Sequence, residues 1–174
     1  MNQCLLALAA ISTLGLALSV SAHILSWAGV EMPTVVMGLH VAAMVCALPA
    51  ILAGYRLTRD YPQRDYWKVA LRGCPPWMRR ATYGFFGYAI VNFILFVSSG
   101  PRGTAPGGGV PPEVVRGFSG HWMAFFAVSA ALLYSSAHAA ESDDRRRCLQ
   151  GHRVREGMKF CGECGSPVAS STGT

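Results

Sequence analysis

The chain has 174 residues, 52% hydrophobic and only 14% charged, with a mean hydropathy of +0.32 and a formal net charge of +6. That is too apolar and too sparsely charged for an average soluble domain. The positive charge does not mark a nucleic-acid protein: of fifteen Lys and Arg residues, seven fall in Tyr55–Arg80 and six follow Ala140, leaving only Arg102 and Arg116 elsewhere and no separate basic groove.

Met1–Val30 carries no formal charge. About 20 apolar residues cross a bilayer core, so residues 4–28 are expected as the first span. A signal peptide within residues 1–22, cleaved at Val20-Ser21-Ala22, is the alternative. Against it stand the lack of Lys or Arg in Met1-Asn2-Gln3 and the length of the apolar run. Gly15, Ser19 and His23 share a face, and small residues at that spacing let helices approach closely. After a turn at Glu31-Met32-Pro33, residues 33–55 form the second span, started by Pro33 and expected to kink at Pro49. His40, Ala43, Ala47 and Gly54 approximate one small-residue face of it.

In the basic loop, Arg64, Lys68 and Arg72 make one helical stripe and Trp67, Ala70, Leu71 and Cys74 another. Residues 62–74 are therefore expected as a short amphipathic helix in the membrane interface. A helix packed on its own bundle is the alternative. Trp77, with Arg79 and Arg80, would anchor the third span, residues 81–101, at the same interface. Gly84, Tyr88 and Asn92 fall on one face of that span. An amide is costly in lipid, so Asn92 is expected to bond a neighbouring helix. Gly100–Ser119, with Gly107-Gly108-Gly109 and Pro111-Pro112, reads as an irregular loop. It is not a phosphate-binding loop, because no strand precedes it and no Lys-Ser/Thr follows. Residues 118–140 form the fourth span.

Lys and Arg are retained on the cytoplasmic side of membranes. The two basic blocks therefore place the Tyr55–Arg80 loop and both termini in the cytoplasm. The fold class expected is an all-α integral membrane protein: a four-transmembrane-helix bundle over residues 1–140, followed by a cytoplasmic tail, 141–174. Cys4, Cys46, Cys74, Cys148, Cys161 and Cys164 all lie outside the expected external loops, which argues against a disulfide framework.

The tail holds the strongest chemical motif, Cys148-x3-His152, then eight residues, then Cys161-x2-Cys164. A closed structural zinc site takes four thiolate or imidazole ligands in a tetrahedron. Gly162 and Gly165 supply turn freedom around the Cys-x-x-Cys knuckle, and so short a tail would draw most of its stability from the metal. No thioredoxin-like strand–helix pattern surrounds the pair, which disfavours a redox role. The segment Cys148-Leu149-Gln150-Gly151-His152 … Lys159-Phe160-Cys161-Gly162-Glu163-Cys164-Gly165 resembles the short zinc-ribbon modules found at the ends of many bacterial proteins, over about residues 148–168. Those modules commonly use Cys at all four positions, and His152 is a departure that zinc tolerates. The resemblance implies a structural or docking role, not catalysis; the location expected for the chain is a bacterial inner membrane.

His23, His40 and His121 are expected within roughly 10 Å of the external interface. Intramembrane ionisable groups are functional candidates. Three converging imidazoles would hold zinc or copper, with Met32, Met37, Met44 and Met123 nearby to suit copper(I), or two would ligate a haem iron. Hydrogen-bonded structural histidines are the plain alternative. His138, at the other side, has no partner for a second haem.

Three functions remain open on this reading: a non-catalytic anchor whose zinc ribbon docks a cytoplasmic partner, a haem- or metal-binding redox protein using the external histidines, or a small transporter or channel subunit. The first is preferred. No carboxylate or Lys lies inside a span to relay protons, and no hydrolase or metalloprotease motif is present. Substrate, partner identity and oligomeric state are not readable.

Overall fold

The computed structural model describes residues 2–59, 61–99, 108–144, 148, 150–152, 154 and 158–167. Five α-helices follow in order: α1 (Asn2–Trp27), α2 (Gly38–Thr58), the short α3 (Tyr66–Ala70), α4 (Pro76–Ser98) and α5 (Pro112–Asp144). A 3-10 turn, Thr34–Met37, leads into α2 and another, Gln63–Asp65, into α3. Among the described residues, four stretches are long and apolar enough to cross a membrane: Asn2–Trp27, Thr34–Thr58, Pro76–Ser98 and Pro112–Ala139. Prolines open two of these helices, where a missing N–H costs nothing. α4 therefore starts at Pro76, earlier than residue 81, and α5 at Pro112, earlier than 118. α2 continues through Pro49.

The helices do not share the packing equally. Of the most apolar window of α5, 72% is buried, against 17–22% in the other three. α1, α4 and α2 each pack along α5, whereas α1 and α2, neighbours in sequence, touch much less. The composition of α5 explains this. Gly117, Ser119, Gly120, Ala124, Ala127, Ser129, Ala130, Ala131, Ser135, Ala137 and Ala139 are buried around the whole helix, so a backbone can come close on every side. The larger Trp122, Phe126, Leu132 and Leu133 are also buried and fill the spaces between.

The partners answer with small residues. α1 buries the ladder Ala9, Ser12, Gly15, Ser19, Ala22 and Ser26, together with His23. A Cβ on Gly15 would overlap the buried ring of Phe126. α2 buries Ala43, Ala47, Ala50 and Gly54. The opposite faces carry Leu14, Leu18, Ile24, Val41, Leu48, Leu52, Ile90, Ile94 and Leu95, all well exposed. That much exposed hydrocarbon suits lipid, not water.

At one end the loops are stitched together. α1 closes in a Schellman turn, Val30 N–H to Leu25 O (3.1 Å) and Gly29 N–H to Ser26 O (3.3 Å), which needs the left-handed φ of +75° that Gly29 supplies. Met32 and Val110 then exchange both backbone hydrogen bonds, at 3.3 and 2.8 Å.

At the other end the basic loop folds back on the bundle. α3 is too short to be the amphipathic helix expected over 62–74. Leu71 is not at an interface but in a cluster with Ala9, Ala50, Ala131, Leu132 and Leu133. Gly73 passes so close to α5 that a Cβ would lie 2.5 Å from Ser135 O. Its N–H donates to Ser135 Oγ (3.0 Å), and the Cys74 thiol donates to Ala131 O (3.1 Å). The basic stripe is broken accordingly. Arg64 and Lys68 are exposed and lie 3.7 and 3.6 Å from Asp65, while Arg72 turns to donate to Tyr61 Oη (3.1 Å). Trp77 is exposed and Trp67 half-exposed beside α4 and α5.

Candidate metal centre and the membrane histidines

Two tight turns assemble the tail. In the first, Gly151 N–H donates to Cys148 O (2.8 Å) and Cys148 N–H to His152 O (3.0 Å). In the second, Gly165 N–H donates to Cys161 O and Cys161 N–H to Ser166 O, both at 2.8 Å. Each turn needs one left-handed residue, Gly151 (φ +82°) and Gly165 (φ +70°). Gly162 is not left-handed, so of the two knuckle glycines it is Gly165 that supplies the turn freedom. Phe160 and Pro167 pair across the base of the second turn.

These turns bring Cys148, His152, Cys161 and Cys164 together, with one ligand atom of each within 4.8 Å of all the others. Cys148 Sγ is 3.6 Å from both His152 Nδ1 and Cys164 Sγ. For metal–sulfur bonds of about 2.3 Å and metal–nitrogen bonds of about 2.0–2.1 Å, tetrahedral ligands sit roughly 3.5–3.8 Å apart. The four groups thus fit one tetrahedral ion.

Two neighbours tune the set. His152 offers Nδ1 to the cluster, and its Nε2 is 3.6 Å from Glu163 Oε2, the carboxylate that a ligating imidazole commonly orients against. Cys164 Sγ lies 3.2 Å from Ser166 Oγ. Hydrogen bonding from Ser166, and after it from His152, lowers the Cys164 thiol to about 6, which favours the thiolate a metal needs. Sequence reasoning missed Glu163 and Ser166. The signal was present in their positions, inside the knuckle and two residues beyond it.

The three histidines of the apolar helices, His23, His40 and His121, do not form a second centre. His23 is spent on hydrogen bonds. Trp27 Nε1–H, a donor only, donates to Nε2 at 2.9 Å, so Nδ1 carries the proton and donates to Ser119 Oγ at 2.7 Å. The Ser119 hydroxyl donates in turn to Arg116 O (3.1 Å), and the Tyr88 hydroxyl donates to Nε2 from α4. The Arg116 guanidinium lies 4.1 Å over the Trp27 ring. Asn92 adds two bonds from α4 to α5, Nδ2 to Arg116 O (2.9 Å) and to Gly117 O (3.1 Å). Gly84 is exposed and takes no part.

His40 accepts from Trp122 Nε1–H at Nδ1 (3.2 Å) and meets the Phe118 ring edge-on. His121 meets Phe93 of α4, ring centroids 4.7 Å apart. The reason they do not converge is azimuthal. At roughly 100° per residue, Phe118, Ser119, Trp122 and Phe126 point one way from α5, and Gly117, Gly120, His121 and Ala124 point the other. Equal depth put the imidazoles at one level, but α5 stands between His121 and the other two. A three-histidine metal site is therefore not built, and His23 has no nitrogen left for a haem. His138 donates Nδ1–H to Tyr134 O (2.9 Å) and stacks on that ring.

Fold and site together define a class: a helical protein with four potential membrane spans and a Cys3His cluster fit for a metal ion near its C-terminus. No particular family follows from comparison, since no protein-family model, curated protein or solved structure matches the chain.

Proposed function

We propose that the chain is a multi-pass membrane protein whose helices anchor a cytoplasmic structural zinc module, and that this module docks a partner protein. Zinc is the ion that a closed shell of three thiolates and one imidazole suits best. The observation that carries the reading is the closure of that shell. The four side chains offer one ligand atom each, enough to fill a tetrahedral shell, and a shell so filled would leave no position for substrate or activated water. The position of the basic loop and tail on the cytoplasmic side rests on their Lys and Arg excess.

The docking surface has a candidate anchor. Met158 and Phe160, just before the knuckle, are 45% and 59% exposed. Aromatic residues and Met are enriched in the cores of protein interfaces.

A photo-crosslinking residue at Lys159 in the full-length protein tests this in membranes. The reading expects a discrete adduct, lost in Phe160→Ala although zinc is retained, and lost together with zinc in Cys161→Ser. An adduct unchanged in both variants, or none in the wild type, would refute docking while leaving the zinc site standing.

A further inference from the structure

Between α4 and α5 the helices close tightly near the stitched loops. There Gly117 and Gly120 let Phe96 and Asn92 lie directly against α5. Farther along, Ala89 of α4 and Ala124 of α5 line a gap together with aromatic side chains of both helices. The result is a cleft of about 350 Å³, within the size range of small-molecule sites. Its walls include the rings of Phe86, Phe93, Phe125 and Trp67, and His121 is the most polar group that lines it.

His121 is the anomaly. Its Nδ1 is buried and has no hydrogen-bond partner. A neutral imidazole has one donor and one acceptor nitrogen. An orphaned buried acceptor is tolerated better than an orphaned donor, so the proton belongs on Nε2. That N–H also bonds no described residue, and in hydrocarbon an unsatisfied donor costs several kcal/mol. His23 and Asn92, by contrast, bond neighbouring helices. Here the bundle leaves a donor beside an apolar, aromatic-walled space.

We infer that the α4–α5 cleft binds a membrane-soluble molecule with a flat ring bearing a hydrogen-bond-accepting oxygen, the chemistry of a quinoid lipid, with its ring among Phe86, Phe93 and Phe125 and its oxygen accepting from His121. Aromatic walls favour a flat ring over a saturated chain because ring pairs add to what area burial alone supplies. This site is independent of the tail.

The test uses full-length protein in phosphatidylcholine nanodiscs, titrated with decylubiquinone, a quinone on a short alkyl tail. Quenching of tryptophan fluorescence is the readout, because Trp67 lines the cleft. Quenching is expected to saturate, and to lose most of its saturable part in Trp67→Phe while Trp27, Trp77 and Trp122 remain. His121→Phe is expected to weaken the apparent affinity about tenfold, the loss of one hydrogen bond of about 1.4 kcal/mol. Ala124→Phe, which fills the cleft, is expected to abolish saturation. Unchanged circular dichroism in each variant shows that the helices are intact, and Trp67→Phe supplies a mild second probe if Ala124→Phe does not fold. Quenching that rises linearly with probe and is equal in all variants means simple partitioning and overturns the proposal. So does undiminished quenching of Trp67 by brominated-chain phosphatidylcholine in the presence of decylubiquinone, which would make bilayer lipid the occupant.

Discussion

The helical body and the tail reach order by opposite means. The body buries two extensive clusters, one around Leu71, Leu132 and Leu133 and one around Val115, Trp122 and Phe126. It also ties some of its interior polar groups together through bonds between helices, such as Asn92 to Gly117 O and His23 to Ser119. In the described tail, the buried cluster is Cys148, Val154 and Cys161, with Cys164 packed against it. Three of those four are the proposed ligands. So small a cluster cannot offset the entropy of ordering the chain. The body should therefore fold without the metal, and the tail should not.

Acid should separate the two regions most sharply. Protons compete with metal for thiolates. The Cys164 thiol, lowered to about 6 by Ser166 and then by His152, prefers the folded turn when ionised. That preference is fully present above the ordinary thiol value of 9.0, declines as pH falls, and is gone below about 6. Metal release, followed with a chromogenic indicator, is expected to rise as pH falls, with helical circular dichroism nearly unchanged. Parallel loss of both signals would merge the two regions.

A substitution in the body should do the reverse. Gly73→Val places a side chain where even a Cβ would lie 2.5 Å from the α5 backbone, so the loop must move. Overpacking of this kind costs about 1–3 kcal/mol. The thermal midpoint in detergent is expected to fall, and metal per chain to stay constant. Glu163→Gln should have the smallest effect, confined to the tail. Loss of the carboxylate facing His152 Nε2 is expected to weaken metal affinity about tenfold, measured by chelator competition, with the same stoichiometry.

What the sequence made legible divides along the same line. Uncharged runs announced the apolar helices, because burying charge in a bilayer is so costly, and ligand spacing announced the tail cluster. The central place of α5 was harder to see. Its small residues run around the helix, from Gly117 to Ala139, and read along the chain they look like one more span. The histidines show the complementary limit. Depth follows from counting residues, but whether His23 and His121 face each other depends on azimuth, which the packing of α5 decides. Leu71 misled for a third reason: its helical spacing holds only if the helix continues, and α3 ends at Ala70.

The most direct test of the account is metal analysis of purified full-length protein beside Cys161→Ser. One zinc per chain in the wild type and none in the variant, with equal helical signal from the two, is the result the account predicts. Equal zinc in both proteins, or loss of helical signal together with the metal, would contradict it.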